Sequence, residues 1–243
     1  FHRNQTFCLT VLIHNNDHVG KNYYLYRDSE GTGLWQLVPW DLDLTLGRNF
    51  NSGGVLNDTM WAAIDPYGHP LFGDNEHRKY GNSIWNRFID AVYNDATVRE
   101  MYLRRLRTLM DELLQNSTTP YAERYYEQRI DELYSQMQPD TDRDYAKWSQ
   151  YGTRQTQITA INILKNEYLA PRRTHLYTNH ATNTSYPDFA GIPSAQVGNP
   201  TILFGTIEFN PASGDQNQEY IQFTNPNAFA VDISNWTLSG GIS

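Results

Sequence analysis

Near the start of the chain, Phe7-Cys8-Leu9-Thr10-Val11-Leu12-Ile13 is an almost unbroken apolar stretch. It reads as the end of a buried helix running into a loop, although a buried strand would give the same pattern. Tyr23 to Arg27 is an aromatic-rich run that suits a strand. Asp28-Ser29-Glu30-Gly31-Thr32-Gly33 is a turn cluster, and Leu34-Trp35-Gln36-Leu37-Val38 alternates until Pro39 stops it. Together they predict a hairpin over 23–38. Residues 48–82, rich in Gly, Asn, Asp and Pro, predict a long irregular insertion. Helical spacing then returns at Trp85, Phe88, Ile89 and Val92 and, after Asp95-Ala96-Thr97, at Met101, Leu103, Leu106, Leu109, Met110, Leu113 and Leu114. Pro120 opens a third helix carrying Tyr125, Ile130, Leu133 and Met137. A last one, marked by Ile158, Ile161, Leu164 and Tyr168, is expected to stop before Pro171.

The texture changes after residue 178. Thr182-Asn183-Thr184-Ser185-Tyr186-Pro187 and Gly191-Ile192-Pro193-Ser194 read as linker, and the tail predicts strands at Thr201–Asn210, Glu219–Asn225 and Ala230–Leu238. Charge divides at the same place. The last basic residue is Arg173, and five of the 27 acids lie beyond residue 180, so the tail carries most of the net −8. The expected organisation is therefore a mainly helical unit over 1–178, a linker over 179–198 and a β unit over 199–243. That acidity argues against a nucleic acid partner, which needs a basic surface. No stretch approaches the ~20 apolar residues of a membrane span. Cys8, the single cysteine, sits in the apolar run and reads as a small buried hydrophobe. Arg172-Arg173, near the expected end of the last helix, fits the helix dipole better than phosphate binding. Glu112 and Asp111 read as a solvated helix face. Five Asn-x-Ser/Thr sites, at Asn4, Asn57, Asn116, Asn183 and Asn235, are compatible with secretion and also expected by chance in an Asn-rich chain.

Candidate chemistry gathers around the hairpin. Asp17 is followed five residues later by Asn22, then by the hairpin, then by Asp41 and Asp43. Folding the strands back brings Asn22 near Pro39, so that Asp17 and Asp41 converge. Acid, amide, hairpin and acid in that order is the layout of kinase-type phosphoryl-transfer sites, in which one acid orients the attacking hydroxyl and the amide and second acid hold Mg²⁺. Asp41 lies between Trp40 and Leu42, where a buried carboxylate would need a partner such as a metal. Taken singly, these acids and the amide serve equally well as turn formers, a helix cap or a calcium-like surface cluster. His14, His18 and His69 lie near the same region, but Asn16-Asp17 should break the helix between the first two, which disfavours a three-histidine zinc centre.

Asn16-Asp17-His18 with Lys21-Asn22-Tyr23-Tyr24-Leu25-Tyr26-Arg27-Asp28, and Leu37-Val38-Pro39-Trp40-Asp41-Leu42-Asp43-Leu44-Thr45-Leu46-Gly47, resemble the CotH kinase family of atypical, secreted or surface protein kinases. The similarity continues through His69-Pro70-Leu71-Phe72-Gly73-Asp74 and Val98–Arg107, and fades near residue 175. The resemblance implies Asp17 as catalytic acid, Asn22 and Asp41 as Mg²⁺ ligands that also bind the nucleotide, and Asp43 as a further ligand. It implies ATP and Mg²⁺ as cofactors, protein Ser/Thr hydroxyls as acceptors and an extracytoplasmic setting. The fold class that follows is α+β: a kinase-like C-lobe, mainly helical with one hairpin, then a truncated immunoglobulin-like β unit. Glu219-Tyr220-Ile221 and Asp232–Gly240 resemble the start of a lamin-tail-type domain. A glycine-rich phosphate loop, a strand lysine and a partnering helix glutamate are not found ahead of Asp17, and Phe1 is an improbable natural start. The chain is therefore expected to be an internal piece of a longer protein with further domains, inactive by itself. The alternative is a non-catalytic surface or adhesion protein built on a degenerate kinase fold.

Overall fold

Asp95 starts the first long helix by capping it. Its carboxylate accepts from the Val98 amide at 2.9 Å, which satisfies a first-turn donor that has no partner inside the helix. The computed structural model describes residues 8–15, 22–42, 45–46, 91–92, 94–148, 156–182 and 191–239. The expected insertion at 48–82 and the helical positions Trp85, Phe88 and Ile89 lie outside them. The chain divides into two units, Phe1–Ser194 and Ala195–Ser243.

The first unit begins with a helical segment at 8–12, followed by an antiparallel pair of strands, β1 (Tyr23–Arg27) and β2 (Trp35–Pro39). Helix α1 (Ala96–Leu109) widens into a π turn (Met110–Leu114), and after a short 3₁₀ turn (Tyr121–Glu123) comes α2 (Tyr125–Lys147). Finally α3 (Gln157–Ile163), α4 (Ala170–Thr174) and α5 (His180–Thr182) run head to tail through two π turns, Leu164–Leu169 and His175–Asn179. The core forms where three helical segments meet. Cys8, Val11 and Leu12 pack with Tyr102, Leu106, Met110 and Leu114 of α1 and its π turn, and with Tyr168, Leu169 and Leu176 of the last helical run. Met101, expected to face inward, is exposed, as are Tyr125 and Met137 of α2 and Ile158 of α3; Ile130 packs against the core as its spacing suggested, together with Tyr126.

The last helix does not stop before Pro171. A proline has no N–H to donate and its ring crowds the carbonyl one turn back. Immediately ahead of it the π turn shifts the ladder, with the Ala170 amide reaching Lys165. Pro171 therefore falls in the first turn of α4, where its missing donor is tolerated. The helix carries Arg172 and Arg173 into the interior, at 0% and 2% exposure. The dipole explanation of this pair is thus wrong: both arginines serve the C-terminal ends of other helices. Arg172 Nη2 donates to the Val11 carbonyl at 2.7 Å. Arg173 Nε and Nη2 donate to the Leu114 carbonyl at 3.0 and 2.9 Å, and its fork meets the buried Glu127 carboxylate at 2.6 and 2.7 Å.

Residues 191–194, expected to be linker, are held on the first unit. The Ile192 amide donates to the His180 carbonyl at 3.0 Å, and Ile192 is buried. Arg107 and Arg104 donate to the Pro193 and Ser194 carbonyls at 3.0 and 2.8 Å. Only glycine fits at 191, where a Cβ would come within 2.6 Å of the His180 carbonyl oxygen. Asp111 is exposed as expected, yet it is tied down by Arg107 at 2.9 Å and by the Tyr177 hydroxyl at 3.0 Å.

In the second unit β3 (Leu203–Glu208) pairs antiparallel with β4 (Tyr220–Thr224), and a bulge shifts the register between Phe204 and Ile207. The third expected strand, over 230–238, does not form. A strand needs a ladder partner, and here the Gln196 side-chain amide takes both main-chain groups of Asp232, at 2.9 and 3.0 Å. A turn at Ser234-Asn235 follows, with Asn235 at φ 65°. The fold is thus a mixed α+β unit followed by a small two-stranded β region.

Two tests follow from the buried charges. Glu127→Ala leaves Arg173 buried without its carboxylate and should cost about 3–5 kcal/mol in urea denaturation, whereas Glu127→Leu combined with Arg173→Met should recover only part of that loss, because the Leu114 carbonyl is left without its donor. His180 donates to or accepts from His175 at 2.9 Å between Nε2 atoms. Burial, followed by the nearby Arg172 charge, pushes His180 from 6.5 down to about 4. The unfolded chain therefore takes up this proton first as pH falls, so stability should be lost between pH 6.5 and 4. His180→Gln should flatten that slope in denaturation midpoints measured across the window.

Candidate functional site

The hairpin is closed by the side chain of Asp28. Its carboxylate accepts from the Gly31 and Thr32 amides at 3.0 and 2.9 Å, and its carbonyl accepts from Gly33 at 2.8 Å. Gly33 takes φ +68°, a conformation that suits glycine. Gly31-Thr32-Gly33 is thus consumed by the turn, as the sequence suggested. From there the register runs Arg27↔Trp35 to Tyr23↔Pro39. One more bond, from the Trp40 amide to the Asn22 carbonyl at 2.9 Å, extends the pairing beyond the strands.

That bond brings Asn22 to the end of the hairpin from which Asp41 departs. Both residues take the left-handed conformation, at φ 65° and 54°, which Asn and Asp tolerate better than other side chains. The burial argument for Asp41 fails. Asp41 is exposed, with Trp40 at 60% and Leu42 at 40% exposure beside it, and Trp40 packs edge-on against Tyr24 with ring centroids 6.0 Å apart. The carboxylate is therefore presented by backbone geometry and not by an apolar pocket. Asp17, Asp43, His18 and His69 lie outside the described residues. Among the described residues no group of three or more His, Cys, Asp or Glu could hold a metal ion.

On the other side of the site the segment at 8–12 ends in a Schellman motif. The Asn15 amide donates to the Thr10 carbonyl at 2.9 Å and the His14 amide to Val11 at 3.0 Å. Glycine usually fills the left-handed position of this motif. Here it is His14, at φ 51°, where a β-carbon costs about 1 kcal/mol or more. His14 and Asn15 are buried, and the His14 ring stacks on Tyr168 with planes within 17° and centroids 6.1 Å apart. The Leu46 amide donates to the Ile13 carbonyl at 2.7 Å, joining the chain beyond Asp41 to the chain before Asp17. The sequence reading missed Tyr168 and Arg172 as neighbours of this turn. Their spacing carried the signal, since 168, 172 and 176 share one helix face and the outer two are apolar.

Residues 7–176 match the CotH kinase protein family, and the chain belongs to that family. It is 27% identical over 129 residues to the inner spore coat protein H of Bacillus subtilis (strain 168). The alignment covers 53% of this chain and 28% of that protein, so the chain spans less than a third of its relative's length. No solved structure matches it.

The turn's dependence on one carboxylate gives a local test. Asp28→Ala should raise hydrogen exchange at the Gly31 and Thr32 amides by roughly five-fold, the equivalent of about 1 kcal/mol, and leave α1 protection unchanged.

Proposed function

We propose that the first unit is the metal-handling part of an atypical protein kinase that moves a phosphoryl group from ATP to Ser or Thr hydroxyls of proteins outside the cytoplasm. The observation that supports the reading is the backbone bond from Trp40 to Asn22 at 2.9 Å, which pairs Asn22 with the residue next to Asp41 at the open end of the hairpin. A second bond, Leu46 to Ile13, supports it. The two bonds join the segments 13–22 and 40–46, and Asp17, Asn22, Asp41 and Asp43 all belong to those segments.

The donor set fits magnesium, which favours hard oxygen ligands and takes only one or two carboxylates from a protein. Asn22 and Asp41 would hold it, with Asp43 as a further ligand. The ion would supply neutralisation of charge on the transferring phosphoryl group. Asp17 is assigned to the acceptor: its carboxylate takes a hydrogen bond from the attacking hydroxyl, orients the oxygen and accepts its proton. The extracytoplasmic setting rests on the kinship with a protein named as a spore coat component, and no described helix is long and apolar enough to cross a membrane. The second unit is read as the start of a lamin-tail-type sandwich, a reading that rests on the Glu219-Tyr220-Ile221 and Asp232–Gly240 patterns.

The two acids should separate in experiment. In the whole protein Asp41→Asn should weaken Mg²⁺–nucleotide binding, whereas Asp17→Asn should leave binding nearly intact and lower transfer by about 10²–10⁴. Asn22→Ala should fall between them and be partly rescued by high Mg²⁺. Radiolabelled phosphate transfer beside nucleotide titration checks this. Wild-type transfer rates in both aspartate variants would overturn the assignment.

A further inference from the structure

His180 is engaged through both its ring and its backbone. The ring meets that of His175, with Nε2 atoms 2.9 Å apart and planes at 81°. The main-chain carbonyl receives the Ile192 amide at 3.0 Å. Both rings are buried, and residues 191–194 lie over this end of the helical run. A Cβ at Gly191 would come within 2.6 and 2.9 Å of the carbonyl oxygens of His180 and Ala181, and Ile192 enters the same apolar core as Leu176. The segment 191–194 has no helix or ladder of its own. It is held by the Ile192 bond and by two arginines of α1, Arg107 on the Pro193 carbonyl and Arg104 on the Ser194 carbonyl. Segments secured in this way open locally before a whole unit unfolds.

The facing nitrogens of the two rings can hold only one hydrogen between them, one donating and the other accepting. Protonating both rings fully would set N–H against N–H and place two positive charges side by side. The neighbouring groups either oppose that charge or are already engaged. Arg172, on α4, acts on His180 with the same sign. Gly191-Ile192-Pro193-Ser194 brings no titratable side chain. On α1 and its π turn, Arg104 and Arg107 are bound to carbonyls of 193 and 194, and the Asp111 carboxylate is taken by Arg107 and the Tyr177 hydroxyl. Burial first, and Arg172 second, push His180 from 6.5 down to about 4.

We infer that the His175–His180 pair is a proton-operated clasp, which keeps the strap at 191–194 seated near neutral pH and lets it go on acidification. Ring and carbonyl belong to one residue, so a His180 ring that turns out to water to take its proton draws its carbonyl away from the Ile192 amide. Ser194 is the last residue of the first unit, so release frees the root of the chain that leads into the second. The open form takes up a proton that the closed form excludes between pH 6.5 and 4, and the open fraction therefore grows as pH falls through that window.

Amide exchange measured by NMR on the full chain, with each rate corrected for the intrinsic pH dependence of exchange, tests the clasp. The Ile192 amide should exchange faster than those of Leu106 and Leu109 in α1 at every pH, and its opening constant should rise about thirty-fold from pH 7.5 to 5. His180→Gln keeps the carbonyl for Ile192 and faces His175 with an amide that donates and accepts without titrating. It should hold the rise within about three-fold. Should that variant not fold, His180→Asn repeats the measurement. Ile192 exchange that matches Leu106 throughout would mean that the strap opens only with the whole unit, and would overturn the inference. A pH-independent opening at Ile192, or a full rise retained in the folded amide variant, would overturn it as well.

Discussion

Arg172 and Arg173 hold the first unit together. Neighbouring residues on a helix point about 100° apart, so two consecutive arginines can serve two different partners. Arg172 takes the Val11 carbonyl, where the first helical segment ends, and Arg173 takes the Leu114 carbonyl, where α1 and its π turn end. The last carbonyls of a helix lack partners within it, and here two such ends meet inside a core that water does not enter. A guanidinium suits the task because its several donors lie in one plane and its charge is weakly hydrated. Arg173 also meets the buried carboxylate of Glu127.

The π turns belong to the same design. Leu164–Leu169 lets the helix pass through Pro171, and this continuation carries both arginines, Leu176 and the His175–His180 pair inward. Had the helix stopped at the proline, the ends of two other helices would have been left without donors. Arg104 and Arg107 of α1 perform a related task for residues 193 and 194. Much of the unit is therefore secured by arginine-to-carbonyl bonds between segments far apart in sequence.

The hairpin was legible in the sequence because its signals are local: alternation in the strands, an Asp-to-Gly turn and a stopping proline. The buried helix at 8–12 and the Asp95 boundary could be read for the same reason. What could not be read depended on tertiary partners. Pro171 looks like a terminator unless the hydrogen-bond shift before it is known, and Arg172-Arg173 looks like surface charge unless the helix continues. The exposure of Met101, Tyr125 and Met137 reflects which helices meet, which periodicity alone does not give. The 230–238 segment carries the alternation of a strand, but a side chain from Gln196 satisfies its backbone instead. For the candidate site, the residue types and the order of acid, amide and acid were visible, as was the convergence of Asn22 with the start of the Asp41 segment. The reason for Asp41's presentation was not, since a positive φ leaves no mark in composition.

The left-handed histidine has a consequence for which changes position 14 can accept. Glycine would relieve the backbone and leave a void beside Tyr168, whereas a branched side chain would fill space at the cost of further strain. Backbone and packing thus pull the position in opposite directions, and an exchange that answers one demand leaves the other unmet.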